Sequence, residues 1–345
     1  MLQNNDNDIK QVLVARFSAI GDVAMTIPSL YDACSANPST RFVMLTRRGL
    51  DKIFISRPKN LMVEGIDLHQ YKGAFGMWRL LRHIQQRYGH FDRFVDLHDV
   101  IRTRLIRMFA RLKGIQAVRI DKGRFAKKEA VRRGGRQGAR LMLPSQQQRY
   151  RATFAAAGIP CADSFTTLPI DTPNPFPAGI NIGIAPFAAH QGKIYPAHLM
   201  EQVLQGLVKR GVNVWLFGGK GQEQDTCRQW AAKFGPTVHS LAGECKGFAV
   251  EMQMMAHLDA MLSMDSANMH LAALMGTRVV SIWGATHPCC GFSPWQQSPD
   301  DMVQLNHIVC RPCSVYGNKP CIHGDYQCLN GISPQIIIDK LLSDK

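Results

Sequence analysis

Residues able to bind an anion follow an apolar stretch in the second half of the chain. Residues 260–264 predict a buried strand, and Asp265 and Ser266 come directly after it. A helix that carries His270 is predicted to begin behind them. Free backbone N–H groups and the helix dipole favour an anion at such a helix start, and open α/β sheets bind ligands outside their strand ends. The pattern therefore predicts an anion-binding site.

A simpler interpretation of this turn is that Asp265 or Ser266 only caps the helix, as most residues of these types do there. Two observations favour a ligand site. His270 lies one helical turn after Ser266 and can face the same crevice. A second strand, predicted over residues 278–283, ends in a turn that contains Thr286. Two adjacent polar strand ends are more than a helix cap requires.

The segment from Asp265 to Ala273, followed by Trp283 to Pro288, resembles the nucleotide-sugar motif of glycosyltransferase family nine, the ADP-heptose:lipopolysaccharide heptosyltransferases. That family usually carries Asp-(Ser/Thr)-Gly-x-x-His, and this chain has Ala267 at the glycine. The resemblance covers nearly the whole chain. It implies an inverting transferase of α/β class, with the GT-B arrangement of two Rossmann-like domains facing each other across a cleft.

A second motif follows the first strand of the chain. Residues 11–16 predict a strand, Gly21 permits a tight turn, and Asp22 opens a helix. On these residues alone Asp22 is an N-cap. The resemblance implies more, because the family opens with a strand and a Gly-Asp pair whose aspartate is the catalytic base. We therefore expect Asp22 to be catalytic, with Ser18 and Gly21 beside it in the acceptor site.

The resemblance also implies contacts to a sugar donor. The family carries a lysine at the position of Lys193 that meets the donor phosphates, and an acid at Glu223 that is associated with the ribose. Taken alone, Lys193 is a solvated loop residue and the glycine turn 218–221 is a weak dinucleotide signal. The predicted donor site consists of Lys193, Glu223, Asp265, Ser266, Ala267, His270 and Thr286.

Positive charge is concentrated in the first half of the chain. Residues 1–172 hold 29 of the 41 Lys+Arg and 14 of the 26 Asp+Glu. This balance predicts an anionic partner, such as a phosphorylated lipopolysaccharide core, a related surface glycan or an anionic membrane surface. Nucleic acid is not expected, because the chain has no zinc finger, RNA-recognition pattern or basic helix with heptads.

The most basic segment, residues 119–151, has 11 Lys+Arg against two acids, with glycines interleaved. It predicts a loop or lid on the amino-terminal domain, which is either a solvated insertion or an electrostatic clamp for a phosphorylated acceptor or lipid head groups. Among the arginines that follow a strand predicted over residues 91–97, Arg104 and Arg107 suggest a solvated helix face. The predicted acceptor site consists of Ser18, Gly21, His98, Arg102, Arg132, Arg133 and Arg136.

The chain of 345 residues, 46% of them apolar, is long enough for two domains. Two series of alternating strands and helices are separated by a segment with three prolines in five residues. The predicted division is an acceptor domain over 1–172, a linker over 173–179, a nucleotide-sugar domain over 180–333, and a helix over 334–345 that crosses back onto the amino-terminal domain.

Four of the ten cysteines are clustered in the pattern Cys310-x2-Cys313-x7-Cys321-x6-Cys328. They predict either reduced structural thiols or a zinc site. No D-x-D motif lies at a strand end, so we expect neither a catalytic metal nor a cofactor. The first residues lack the pattern of a signal peptide, and no apolar run reaches the ~18 residues of a membrane span. We expect a cytoplasmic monomer, peripheral at the inner face of the membrane.

Three other functions remain to be compared with sugar transfer. A nicotinamide dehydrogenase needs G-x-G-x-x-G directly after a strand, which residues 17–22 do not supply. A sugar-nucleotide epimerase of the same fold is the closest enzymatic alternative. A non-enzymatic module that binds an anionic glycan or lipid would explain the basic half of the chain without any role for Asp22.

Overall fold

The computed structural model describes residues 9–134 and 142–343, which form two parallel β-sheets with helices packed on them. The strands are β1 (Gln11–Ala15), β2 (Arg41–Arg47), β3 (Leu61–Ile66), β4 (Arg93–Asp96), β5 (Gln116–Arg119), β6 (Asn181–Ala185), β7 (Asn213–Leu216), β8 (Val238–Ser240), β9 (Ala260–Met264), β10 (Val279–Ile282) and β11 (Met302–Val303). The helices are α1 (Ile20–Ala24), α2 (Thr26–Ala36), α3 (Gly73–Tyr88), α4 (Ile101–Leu112), α5 (Arg124–Arg133), α6 (Gln146–Ala156), α7 (Ala197–Val208), α8 (Gln222–Phe234), α9 (Phe248–Met255), α10 (Ala267–Leu274), α11 (Gln327–Asn330) and α12 (Pro334–Leu342).

The first unit comprises residues 1–122 and 146–165. Its sheet has the order β3-β2-β1-β4-β5, with every neighbouring pair parallel. Helices cover both faces of a parallel sheet, so its central strand is a continuous apolar run, and β1 is buried throughout. The chain changes direction across the sheet between β1 and β4, which makes the carboxyl ends of these two strands the expected ligand position.

The second unit comprises residues 123–145 and 166–345. Its sheet has the order β11-β10-β9-β6-β7-β8, again with parallel pairs throughout. Here the direction changes between β6 and β9. Each sheet thus has the strand order of a Rossmann fold, which confirms the predicted α/β class.

The basic segment differs from its prediction as a loop on the amino-terminal domain. Part of it forms helix α5, and residues 123–145 belong to the second unit. The Lys127 side chain is buried, with its ammonium 4.1 Å from the centroid of the Phe292 ring. The Leu143 N–H donates to the Cys289 carbonyl at 3.0 Å. The buried Lys127 side chain and the Leu143 hydrogen bond attach the segment to the second unit. The charge pattern of the sequence reveals neither contact.

The carboxy-terminal helix also differs from its prediction. Ile337, Ile338 and Leu341 of α12 are buried in the core of the second unit, where α12 packs against α7. This apolar face is used within the second unit, to which the helix belongs. This part of the second unit begins at Thr166, which precedes the predicted linker over 173–179. The Thr166 carbonyl accepts a hydrogen bond from the Trp295 indole N–H at 2.8 Å.

Within residues 9–134 and 142–343, no helix is both long enough and apolar enough to cross a membrane.

Candidate functional site

Asp22 lies in the first turn of α1, beyond the carboxyl end of β1. Its carboxylate is 2.5 Å from the guanidinium of Arg16, which is almost fully buried, and it accepts a hydrogen bond from the Ala19 N–H at 3.4 Å. The Asp22 side chain is 23% exposed, so a ligand can reach it. A second guanidinium nitrogen of Arg16 donates to the Leu97 carbonyl at 2.8 Å, behind β4. Arg16 therefore links the ends of β1 and β4 and fixes the orientation of Asp22.

His98, a second predicted site residue, follows β4 and lies at the same strand ends as Asp22. The Phe17 N–H donates to its Nδ1 at 3.4 Å, so the imidazole proton lies on Nε2, 3.5 Å from the Ser18 hydroxyl. Burial, and then the positive charge of Arg16, lower the pKa of His98 to about 3. The ring is neutral at pH 7 and offers a hydrogen bond instead of a charge. Asp22, Ser18 and His98 thus lie at one switch point of the sheet.

We expect His98 to make the protein less stable in acid. The folded state holds His98 neutral while the unfolded chain protonates it near pH 6.5, so below that pH the unfolded state binds more protons. Stability from this group is fully present above pH 6.5 and is lost towards pH 3, by about 1.4 kcal/mol per pH unit. His98→Gln should flatten the fall of the Tm between pH 6.5 and 4.5. Equal slopes for wild type and variant would contradict this, and His90→Gln, at an exposed position, is the matched control.

The other predicted acceptor residues of the first unit have different surroundings. Gly21 is the second residue of α1, and Arg102 is an exposed residue near the start of α4. Arg104 and Arg107 were predicted to form a solvated helix face, but both bind carboxylates. Arg107 lies 2.5 Å from the fully buried carboxylate of Asp96, and Arg104 lies 3.0 Å from that of Asp99. These two arginines neutralise the acids at the end of β4, because a buried carboxylate needs a partner.

Two arginines of the predicted basic clamp share one carboxylate. Arg132 and Arg133 both bind Glu129, at 2.7 Å and 2.5 Å, and both belong to the second unit. Arg136 lies outside the described residues. One carboxylate neutralises one of these two arginines, so the described part of the segment keeps a positive balance around Glu129.

In the second unit, three predicted donor residues meet behind three adjacent strands. Lys193 follows β6, Asp265 follows β9 and Thr286 follows β10. One carboxylate oxygen of Asp265 is 2.8 Å from the Lys193 ammonium and accepts the Thr286 hydroxyl at 2.8 Å. The Lys193 ammonium also donates to the Asp265 carbonyl at 3.2 Å. Asp265 therefore holds the lysine at the switch point of this sheet, and Thr286 holds Asp265.

Ser266 occupies the N-cap position of α10, but its side chain does not close the first turn of that helix. The hydroxyl instead lies 3.3 Å from the Ser263 hydroxyl. Ala267 is the first helical residue, where alanine is well suited, and His270 is buried one turn later. The amino end of α10 therefore presents its backbone N–H groups beside Lys193, which is the arrangement that binds phosphate.

Glu223 has a role that the sequence did not reveal. It lies in the first turn of α8, and its carboxylate accepts the Gly219 N–H at 2.7 Å. The turn before this helix includes Gly221, whose φ of +76° is readily adopted only by glycine. Glu223 thus fixes the glycine turn at the carboxyl end of β7.

Arg311 is a structural residue that the sequence did not predict. It is only 2% exposed, and its guanidinium donates to the carbonyls of Trp283, Gly284 and Thr286, two of them at 2.9 and 2.8 Å. It thereby fixes the loop that carries Thr286. No pattern in the sequence signals this, because the arginine follows its partners by about 25 residues.

The four clustered cysteines line one cavity of about 240 Å³, together with His307, His323 and Asp325. All ten cysteines are free thiols. Across residues 9–134 and 142–343, no three Cys, His, Asp or Glu side chains converge in a metal-binding group.

Comparison with known proteins agrees with these observations. The family model described as glycosyltransferase family 9 (heptosyltransferase) matches residues 137–321, just over half of the chain. The chain is 21% identical over 323 residues to lipooligosaccharide heptosyltransferase 2 of Campylobacter jejuni, covering 93% of this chain and 94% of the relative.

Solved structures resemble the whole chain. The family 9 glycosyltransferase of Veillonella parvula superposes with a TM-score of 0.73 at 16% identity, covering 97% of this chain and 98% of that one. The E. coli heptosyltransferase WaaC with ADP-2-deoxy-2-fluoro heptose gives a TM-score of 0.64 at 17% identity, covering 89% and 97%. At these identities the likeness shows the fold, which is the predicted GT-B fold.

Proposed function

The chain belongs to glycosyltransferase family 9, the heptosyltransferases, and on this premise we propose that it transfers heptose from ADP-heptose to a hydroxyl of an anionic lipopolysaccharide core or a related surface glycan. The observation that carries the proposal is the pair of switch points, one in each unit. The first carries a reachable carboxylate, Asp22, and the second carries a cation beside a helix start, Lys193 and α10.

Asp22 is the proposed general base. Its carboxylate accepts the proton of the acceptor hydroxyl as that oxygen attacks the anomeric carbon, and the bond to the diphosphate breaks in the same displacement. Only one base is needed for this direct attack, and the sugar is inverted. Arg16 supports the role because it holds the carboxylate in place, and the neutral imidazole of His98 offers a hydrogen bond nearby.

The leaving diphosphate is the proposed ligand of the second switch point. Lys193 supplies a positive charge, and the first N–H groups of α10, behind Ser266 and Ala267, supply hydrogen bonds. Those groups act where charge develops, so we propose that transfer proceeds without a divalent metal. Undiminished turnover in a chelator such as EDTA is the expected result.

Replacing Lys193 by alanine should weaken ADP binding by about 1–3 kcal/mol, which is roughly 5- to 150-fold, the range for charge-assisted hydrogen bonds. Titration calorimetry with ADP measures this directly. Lys209→Ala is the matched control, because Lys209 is an exposed lysine of the same unit. Unchanged ADP affinity in Lys193→Ala would remove the lysine from the donor site.

Product analysis tests the proposed function as a whole. ADP-heptose and a heptose-deficient lipopolysaccharide core are incubated with the protein, and the acceptor is examined by mass spectrometry. The proposal predicts an acceptor heavier by one heptose, together with free ADP. Isomerised donor with unchanged acceptor would indicate the epimerase, and binding of both ligands without any product would indicate the non-enzymatic module.

The proposed setting of this reaction is the cytoplasmic side of the inner membrane, with the protein acting as a monomer. The nature of the proposed substrates supports this setting, because the donor is a soluble nucleotide sugar and the acceptor is linked to lipid. Size-exclusion chromatography with light scattering checks the monomer, and fractionation of cells checks the location.

A further inference from the structure

Two neighbouring helices of the first unit carry an unusual surface. The 16 residues of α3 and the 12 residues of α4 contain seven arginines and no aspartate or glutamate. Both helices pack on the same core, to which Leu80 and Ile84 of α3 and Ile106 and Ala110 of α4 contribute. Since they lie side by side on one sheet, their outer faces point the same way.

Part of this positive charge has no carboxylate partner among the residues that the structure describes. Arg87, Arg104 and Arg107 bind acids, namely Glu64, Asp99 and Asp96. Four other arginines of the two helices form no ion pair with any carboxylate of residues 9–134 and 142–343. These four are Arg79, Arg82, Arg102 and Arg111.

Apolar side chains are interleaved with these arginines. On α4, Ile101 is 76% exposed, Met108 47% and Leu112 78%, at a spacing of seven and four residues that keeps them on one helix face. The apolar residues that face the core, Ile106 and Ala110, lie on another side of the same helix. An outward apolar stripe of this kind costs solubility unless something covers it.

On α3 the apolar side chains are aromatic. Phe75 is 67% exposed and stacks on Trp78, with ring centroids 5.5 Å apart. The Arg82 guanidinium lies 5.5 Å from the Trp78 ring, and Arg79 lies 5.7 Å from that of Tyr71. An aromatic ring with a cation beside it suits the boundary between lipid tails and head groups, where one end of the pair is apolar and the other is wet.

We propose that this surface, the α3–α4 face, docks the protein on an anionic lipid bilayer. Its members are Phe75, Trp78, Arg79 and Arg82 of α3 and Ile101, Met108, Arg111 and Leu112 of α4. Arginines without carboxylate partners match the charge of lipid phosphates, and the apolar side chains between them insert among the head groups. A nucleic acid would match the charge but leave the apolar stripe uncovered. A neutral protein partner would cover the stripe but leave the arginines unmatched.

The position of the face fits the proposed acceptor. Both helices begin at the carboxyl edge of the sheet, the edge that carries Asp22 and His98, because each follows a parallel strand. Docking here would hold that edge near the membrane, where a lipid-linked acceptor lies. The link between the docking face and the acceptor rests on the proposed function, whereas docking on a bilayer is independent of it.

Vesicle co-sedimentation tests the docking. Vesicles of phosphatidylcholine with about one-third phosphatidylglycerol are compared with phosphatidylcholine alone. The wild type should bind the anionic vesicles far better, and binding should fall when salt is raised from about 0.1 M to 0.5 M. The triple variant Arg79→Gln, Arg82→Gln, Arg111→Gln should bind about 100-fold more weakly. Phe75→Ser with Leu112→Ser should weaken binding at both salt concentrations.

The controls lie in the second unit. Lys209→Gln, Arg210→Gln and Lys246→Gln remove the same charge from exposed positions, and Ile322→Ser removes an isoleucine that is 77% exposed. These variants should bind vesicles like the wild type. Equal losses in control and face variants, or no loss in the face variants, would overturn the proposal. Variants that change the oligomeric state in light scattering, while vesicle binding stays intact, would make the face an interface between copies and also overturn it.

Transfer to a water-soluble, delipidated acceptor separates this proposal from the proposed function. The face variants should retain that activity, since none of the substituted residues belongs to the two switch points. A wild type that binds anionic vesicles but transfers no sugar keeps the docking face and refutes the enzyme. A wild type that transfers sugar but ignores the vesicles keeps the enzyme and refutes the docking face.

Discussion

Replacing Asp22 by asparagine is expected to lower kcat by about 10²- to 10⁴-fold, the usual contribution of a general base. Asparagine keeps the size of the side chain but cannot accept a proton from the attacking hydroxyl. The affinity for ADP should stay nearly unchanged, because the predicted donor residues belong to the second unit and Asp22 belongs to the first. Steady-state kinetics and calorimetry with ADP measure the two quantities separately.

The interpretation of that result depends on Arg16. Asparagine leaves the almost fully buried guanidinium without its carboxylate, so the variant is also expected to lose stability. A thermal melt shows whether it is folded at the assay temperature. Asp163→Asn is the control, since it removes a carboxylate that pairs with Arg151 at an exposed position. A folded Asp22→Asn enzyme with wild-type kcat would exclude the role of base.

Replacing Arg311 by methionine is expected to destabilise the second unit by at least about 3 kcal/mol. Methionine fills part of the space but leaves the buried carbonyls of Trp283, Gly284 and Thr286 without donors, at about 1–3 kcal/mol for each unsatisfied group. The Tm should fall by about 10 °C. Differential scanning calorimetry is the measurement.

Two further variants make the Arg311 prediction specific. Arg311→Lys retains a charge but not the planar donor fork, so it should recover only part of the stability. Arg228→Met removes an arginine whose partner, Glu244, is half exposed, and such surface pairs are worth about 0–1 kcal/mol. ADP affinity should fall in Arg311→Met, because the loop fixed by Arg311 carries Thr286 and thereby positions Asp265. A variant as stable as wild type would show that the carbonyls find other donors.

The ends of the strands that carry Asp22 and Asp265 could be located from the sequence because their signals are local. A short apolar run, a small polar turn and a helix start identify the carboxyl end of a buried parallel strand, and Asp22 and Asp265 both follow such a run. Strand order is what brings Lys193 beside Asp265, and the rule that ligands bind at strand ends anticipates it. The residues at these positions were therefore recognisable before their distances were known.

The partners of those residues were not recognisable, because they depend on tertiary contacts. Arg16 ends a buried stretch, and no feature of the sequence predicts its ion pair with Asp22, six residues later. Arg311 lies among cysteines that attracted a metal interpretation, while its actual partners are backbone carbonyls. Backbone groups carry no sequence signal, so a buried arginine that serves them cannot be predicted from residue types.

The two misplaced segments have the same cause. The basic segment was assigned to the amino-terminal domain by its charge, but the contact of Lys127 with Phe292 places it in the second unit. Helix α12 was expected to return to the first domain, but its apolar face packs on α7. Periodicity shows that a helix has an apolar face and does not show which surface the face covers.

The anomeric configuration of the transferred sugar tests the central claim most directly. If Asp22 activates an acceptor hydroxyl for a single direct displacement, the new glycosidic bond must have the opposite configuration to the bond in the nucleotide-sugar donor. NMR of the product formed from ADP-heptose on a soluble acceptor reads this from the one-bond carbon–proton coupling at the anomeric carbon. Inversion in every product molecule is the expected result. Retention of the donor configuration would require a second displacement or attack from the face of the leaving diphosphate, and either would contradict the role given to Asp22.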